Sequence, residues 1–215
     1  MKGEYAMALD YHATRNLSPN PTPKETMLCG GLDVEDWPHA RQVARLALLL
    51  FKATQPLHEL DQRAALLLER GALLHNAGML ISAKAHHKHS LALINQTPLP
   101  DVSAEERHEI ACIARYHRRV LPQKSHPEYA RLDKEARKRV SQLAALVRIA
   151  DALDYGHDGR IEDVSAEIEE ETVRFFIIAQ HGLHADAEMD RARQKADLFE
   201  KTFKYHARFL ERRAE

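Results

Sequence analysis

The chain has 215 residues, enough for one domain or one domain with a small appendage, and its 44% hydrophobic content is that of an ordinary globular protein. Aromatics supply only 6%, so the core must be mostly Leu, Ala, Val and Ile, a palette that suits packed helices better than a β-sandwich. A formal net charge of -1 gives no global steering toward nucleic acid, and two cysteines without CxxC spacing, Cys29 and Cys112, exclude a disulfide framework and a thiolate zinc site.

The opening residues, MKGEYAMALDYHATRN, lack the apolar run of a signal peptide, and no stretch reaches transmembrane length, so a cytoplasmic protein with no membrane partner is expected. Residues 1–35 are weakly patterned. Ser18-Pro19-Asn20-Pro21-Thr22-Pro23 forbids regular helix and central strand, which reads as an arm or linker with a short helical turn near 24–28. Gly30-Gly31 is not a phosphate loop, because no Gly-Lys-Ser/Thr follows.

Asp36-Trp37-Pro38 predicts a helix start, an N-cap acceptor with proline in the first turn. The helix runs to about 53 on the stripe Val43, Leu46, Ala47 and Leu50, and His39 falls on the same face. Asp61 caps a second helix with Ala64, Leu67, Leu68, Gly71, Leu74 and His75 inward. Gly71 inside it costs about 1 kcal/mol against alanine, which predicts a close helix crossing there. His75-Asn76 ends that helix beside Gly78, a candidate C-terminal stop. A short helix over 86–96 follows, ended before Pro98 and Pro100. Ser103-Ala104-Glu105-Glu106 is a capping box for a helix carrying Ile110, Ile113, Ala114 and His117 on one face. Residues 118–132 read as a basic loop. Asp133 then caps a long helix with Val140, Leu143, Ala144, Val147, Ala150, Asp151 and Asp154 on its stripe.

After Gly156 the period changes to alternation, at Val164, Ala166 and Ile168 and again at Val173, Phe175 and Ile177, which predicts a β-hairpin. A final helix over about 185–211 carries Met189, Ala192, Ala196, Phe199 and Phe203. The expected fold is mainly α: an N-terminal arm (1–35), a helical domain (36–156) and a hairpin-plus-helix appendage packed on it (157–215).

His39, His75, His117 and Asp151 sit where helices would bury them, and buried polar groups need partners. One arrangement satisfies all of them: convergence on one or two divalent metals, with His86 or His89 as a further ligand. Zinc, iron, manganese and magnesium are all compatible with such donors. A metal there predicts hydrolysis of a phosphoester or phosphoanhydride by metal-activated water. The basic stretch from Arg115 to Arg139, with Lys84 and Lys88 beside the histidines, makes Lys88, Arg115, Arg118 and Arg119 candidate phosphate contacts.

Taken in order, His39, His75-Asn76, His86/His89, His117 and Asp151 resemble the HD superfamily of metal-dependent phosphohydrolases. The segments HARQVARLALLLF, LLHNAG, HHKHS, ARYHRR and LAALVRIADALD resemble more closely the C-terminal, HD-like region of the exopolyphosphatase/guanosine-pentaphosphatase (Ppx/GppA) family. The resemblance implies an HD-like helical core, a metal set of His39, His75, Asn76, His86, His89, His117 and Asp151, and a catalytic group of His75, Asn76 and Asp151. The implied ligand is a nucleotide, polyphosphate or other phosphorylated small molecule.

The chain departs from those patterns twice. In that family polyphosphate or guanosine-pentaphosphate hydrolysis belongs to N-terminal domains of the actin-like ATPase type, for which 215 residues leave no room. The HD aspartate is also replaced by Asn76, whose neutral amide is a weaker ligand and weakens a dinuclear site most. A second reading therefore stands beside the enzyme: a module without metal that binds a phosphorylated ligand or a separately encoded partner through a vestigial pocket, with Arg148 or a histidine satisfying Asp151. RNA binding through 115–139 is disfavoured, since only Tyr116 and Tyr129 interleave the basic residues. A homodimer through the arm is compatible with the sequence, which does not require one.

Overall fold

The computed structural model describes residues 18–212. Residues 1–17, the first half of the expected arm, lie outside that range. Five helices start where a side chain accepts free backbone N–H groups of the first turn. Thr22 caps α1 (Pro23–Leu28) in a capping box with Glu25, and Asp36 caps α2 (Trp37–Ala53). After the single turn α3 (Gln55–His58), Asp61 caps α4 (Gln62–Leu73). A 3-10 turn (Ala77–Leu80) leads to α5 (His86–Gln96). Ser103 and Glu106 form the box that opens α6 (Ala104–Arg115). The basic loop holds one helical turn, α7 (Pro127–Ala130), and Asp133 caps α8 (Lys134–Ala152).

The centre of the molecule is α8. Every residue from Gln142 to Ala150 is buried, the mark of a helix covered on all sides, and it packs on α2, α4 and α6. Gly71 of α4 meets α6 as its helix-interior position predicts: a Cβ there would lie 2.5 Å from Ile113 Cγ2. Gly78 has a different role from the expected helix stop. Its φ is not positive, its N–H donates to Ser90 Oγ at 2.9 Å, and a Cβ would strike the backbone of α5, so it is a point of close approach. The described part of 1–35 lies against α2. Glu25 and Arg41 form a buried two-point pair (2.5 and 2.9 Å), and Arg41 also donates to the carbonyls of Ser18 and Asn20.

The hairpin is present as β1 (Ile161–Ile168) and β2 (Thr172–Ala179), antiparallel with Ser165 opposite Phe176. The predicted final helix is corrected in three parts. It breaks into α9 (Asp186–Lys195) and α10 (Asp197–Phe203), and its end is β3 (His206–Glu211), parallel to β2. Lys204 adopts a left-handed φ of 65° that terminates α10, and beyond it Ala207 and Phe209 are buried while their neighbours are exposed, a period of two. The sheet and α10 meet through Phe175, Phe199 and Phe209, and α9 and α10 lie on α8. The sheet is tied to α2 where Gln42 Nε2 and Arg45 donate to Ile161 O at 2.7 and 2.6 Å.

Candidate metal centre

The ends of five helices converge on one polar cluster. His39 lies in the first turn of α2, where its N–H donates to the cap Asp36 at 3.1 Å. His75 follows the last turn of α4, His86 opens α5, His117 follows α6 and Asp151 lies in the last turn of α8. All four histidines are buried, and Asp151, with 23% of its side chain exposed, forms the open side.

The histidines share a feature that burial alone does not demand. The Nδ1 of His75 lies 2.6 Å from Ala72 O, that of His117 2.6 Å from Ala114 O and that of His86 3.2 Å from Ala83 O. A carbonyl only accepts, so each Nδ1 carries the proton and each Nε2 presents a lone pair. His39 Nδ1 is matched to a carboxylate, Asp154 Oδ2, at 2.7 Å. The Nε2 atoms point inward. Those of His39 and His75 each lie 3.5 Å from Asp151 Oδ1, and the candidate ligand atoms of these three residues all fall within 4.8 Å of one another. Those of His86 and His117 face each other at 3.3 Å.

Neither His39 Nε2 nor His75 Nε2 has a hydrogen-bond partner among the described residues, and the Asn76 amide oxygen is a third buried acceptor without one. Facing lone pairs in a buried pocket repel unless a proton or a metal cation lies between them. Burial works to raise the Asp151 carboxyl, but His39 and His75 overcome it and hold it well below the usual carboxylate range. Burial works to lower His39, and Asp151 and Asp154 overcome it, taking the imidazole up to about 9. His117 is pushed far down by burial and then by the charge of His75, and His86 is lowered by burial and by Arg118. The donor set therefore fits a divalent ion that takes the place of the His39 proton: imidazoles held from behind at Nδ1, one ionised carboxylate and a carboxylate behind a ligand histidine.

Of the candidate residues, His39, His75 and Asp151 form one group and His86 and His117 an adjoining pair. His89 is half-buried, with its Cβ over Gly78, and has no place in the cluster. Lys88 is exposed. Arg115 is engaged elsewhere, 3.4 Å from Glu128 and over the Tyr116 ring. Arg118 does reach the site, its NH1 3.3 Å from His86 Nε2, while Arg119 is exposed. Arg148 does not serve Asp151, since it holds Asp197 and donates to Tyr116 O.

Sequence reasoning placed Asp154 on the α8 stripe without giving it a role, and its spacing of three from Asp151 was the available signal. It missed His157, whose ring stacks on His39 (centroids 3.7 Å apart, 2° between planes) and whose Nδ1 meets Asp36 at 2.8 Å. Nothing periodic marks a residue in that turn.

Comparison with known proteins adds two findings. The family model described as Ppx/GppA phosphatase, domain III, matches residues 32–198, most of the chain. A "Guanosine-5'-triphosphate,3'-diphosphate pyrophosphatase" from Pseudoalteromonas translucida (strain TAC 125) is 34% identical over 85 residues. That match covers 38% of this chain and 17% of the relative, so the chain corresponds to a small part of that protein's length. Among the described residues no helix is long and apolar enough to cross a membrane.

Proposed function

We propose that this chain, which belongs to the Ppx/GppA phosphatase domain III family, works as an HD-type, metal-dependent phosphohydrolase on a nucleotide or other phosphoanhydride or phosphoester. The observation that carries the reading is the set of buried imidazoles held from behind at Nδ1, with the Nε2 atoms of His39 and His75 turned toward the carboxylate of Asp151 and those of His86 and His117 toward each other. His39, His75 and Asp151 would hold a first divalent ion, and His86 and His117 would support a second position. Such an ion supplies Lewis-acid polarisation of a phosphoryl oxygen and a more acidic water. The protein's own part is to hold the imidazoles from behind so that their Nε2 atoms stay aimed, with Asp151 on the more exposed side. The relative named for guanosine pentaphosphate makes a nucleotide phosphoanhydride the substrate class to test first. The site belongs to a helical domain over 36–156, and a cytoplasmic setting accompanies the reading.

A second reading has its own support. Asn76 stands where the HD pattern has aspartate, and Asp151 and Asp154 already give His39 two carboxylate partners. A module that binds a phosphorylated ligand or partner without catalysis would look the same. Metal content separates the two. After loading with manganese, zinc or iron and desalting, mass spectrometry should find about one or more ions per chain, lost in Asp151→Ala. Retention of no metal under any loading removes the enzyme reading and leaves the binding module.

A further inference from the structure

A second concave surface lies on the side of α2 turned away from His39. Two adjoining hollows of about 410 and 460 Å³ share Leu48, Asp61, Gln62 and Ala65, so they form one groove between α2 and α4. Its floor is Leu48 and Leu49 of α2 with Ala65 and Leu66 of α4, and Lys52 and Asp61 stand on its rim. The core stripe of α2 runs through Val43, Leu46 and Leu50, whereas Arg41, Arg45, Leu48 and Lys52 follow one another at helical spacing on the outward side. Leu48, Leu49 and Leu66 are only half-buried. Single surface leucines need no explanation, but three that line one groove make a contiguous apolar patch, which marks an interaction surface.

The chain itself arrives at this face. Arg41, on the same outward stripe, donates to the carbonyls of Ser18 and Asn20, both at 2.6 Å, so the first described residue is held beside α2. From Arg41 to Leu48 the helix rises about 10 Å, a distance that an extended chain covers in about three residues. Residues 1–17 precede Ser18. They carry Tyr5, Met7, Leu9 and Tyr11, large apolar side chains that suit the floor, with Glu4 and Asp10 beside them and Lys2 and Arg15 to either side, charges of both signs like those of the rim. We propose that the groove between α2 and α4 is the docking surface for the chain's own N-terminal segment, with the apolar side chains of residues 5–11 set against Leu48, Leu49 and Leu66. A short tether gives an effective concentration of the order of millimolar, so a few apolar contacts are enough to cover the groove. A separate peptide would have to offset the full loss of its translational freedom. The groove and the histidine cluster lie on different sides of α2, so docking requires neither a metal nor the reaction proposed for the pocket.

The test is nuclear magnetic resonance of the full, isotope-labelled chain with a nitroxide on Gln62→Cys, an exposed position on the rim; Cys29 and Cys112 are buried and stay unlabelled. Amide signals of residues 5–11 should lose intensity while the nitroxide is oxidised and recover when it is reduced. Tyr5→Ser/Leu9→Ser, confined to the segment, should abolish that loss. Leu48→Gln/Leu66→Gln should do the same from the groove side, with the helical circular dichroism spectrum preserved. No intensity loss at residues 5–11, or an undiminished loss in Tyr5→Ser/Leu9→Ser, overturns the proposal. Mixing nitroxide-bearing chains of natural isotope content with isotope-labelled chains that lack the nitroxide separates copies. A loss in the mixture as large as that in the single-chain sample assigns the groove to the segment of a second copy and overturns docking within the chain. Metal retention should be the same in the wild type and in Tyr5→Ser/Leu9→Ser, so failure of the docking leaves the metal reading standing, and the reverse.

Discussion

At the scale of the residue, His39 is held at Nδ1 and over one face of its ring, leaving Nε2 without a hydrogen-bond partner among the described residues. Asp154 fixes Nδ1 at 2.7 Å, Gly159 N–H donates to the other Asp154 oxygen at 3.0 Å, and His157 covers the ring face. A carboxylate behind a metal-facing imidazole fixes its tautomer and raises its basicity. Asp154→Asn should therefore weaken metal binding about 10- to 100-fold, measured by competition with a chromophoric chelator, with the helical circular dichroism spectrum preserved. Wild-type affinity in Asp154→Asn would remove Asp154 from the site. The same contacts set a pH dependence. His39 is raised from an ordinary value of 6.5 to about 9, so the proton it binds stabilises the metal-free fold fully below 6.5. That stabilisation is lost as pH rises through about 9. The melting temperature of chelator-treated protein should fall between those values, and an ion on His39 Nε2 should flatten the fall by replacing the proton. An identical fall with and without metal would place the ion elsewhere. His39, His117 and Asp151 were legible because each stands on an apolar helical stripe where a polar group needs a reason. His157 was not, because it lies in a turn, and only the packing of distant segments brings it onto His39.

At the scale of the element, capping chemistry carried most of the legibility. Asp36, Asp61, Ser103 with Glu106, and Asp133 each accept the N–H expected of a cap, and each places the following helix within a residue of its predicted start. The failure at the C-terminus has an equally local cause. The apolar residues 189–203 fit a helical period, and the change to period two begins only after Lys204, a residue with no glycine-like mark of a left-handed stop. A parallel partner such as β2 leaves no turn signal beside the strand that joins it. Gly71 shows how one residue sets an interhelical distance. Alanine there gains about 1 kcal/mol of helix propensity but places a methyl 2.5 Å from Ile113 Cγ2, and both side chains are fixed in a packed core. Overpacking of that kind costs about 1–3 kcal/mol. Gly71→Ala should lower the urea midpoint with the slope unchanged. A midpoint at or above the wild-type value would mean that α4 and α6 are farther apart than described.

At the scale of the whole molecule, the question is whether the C-terminal segments are an appendage or part of the core that holds the site. Leu198 and Phe199 of α10 are buried and α10 packs on α8, the same helix that presents Asp151. Ile161 and Val164 of β1 are buried where the sheet meets α2, the helix that presents His39. A chain without them loses the burial of at least these four apolar side chains at about 1.5–3 kcal/mol each, a sum comparable to the roughly 5–15 kcal/mol that stabilises a domain. It also strips Arg148 of its Asp197 partner in the middle of α8, leaving a buried guanidinium with one carbonyl contact. A chain ended after Asp158 should therefore lose the sharp thermal transition followed by circular dichroism at 222 nm, and with it any metal retention. A truncated chain that melts cooperatively and keeps its metal would establish 36–156 as an independent unit. The first outcome makes the C-terminal segments structural partners of the cluster, because the helices that carry His39 and Asp151 are each covered by them.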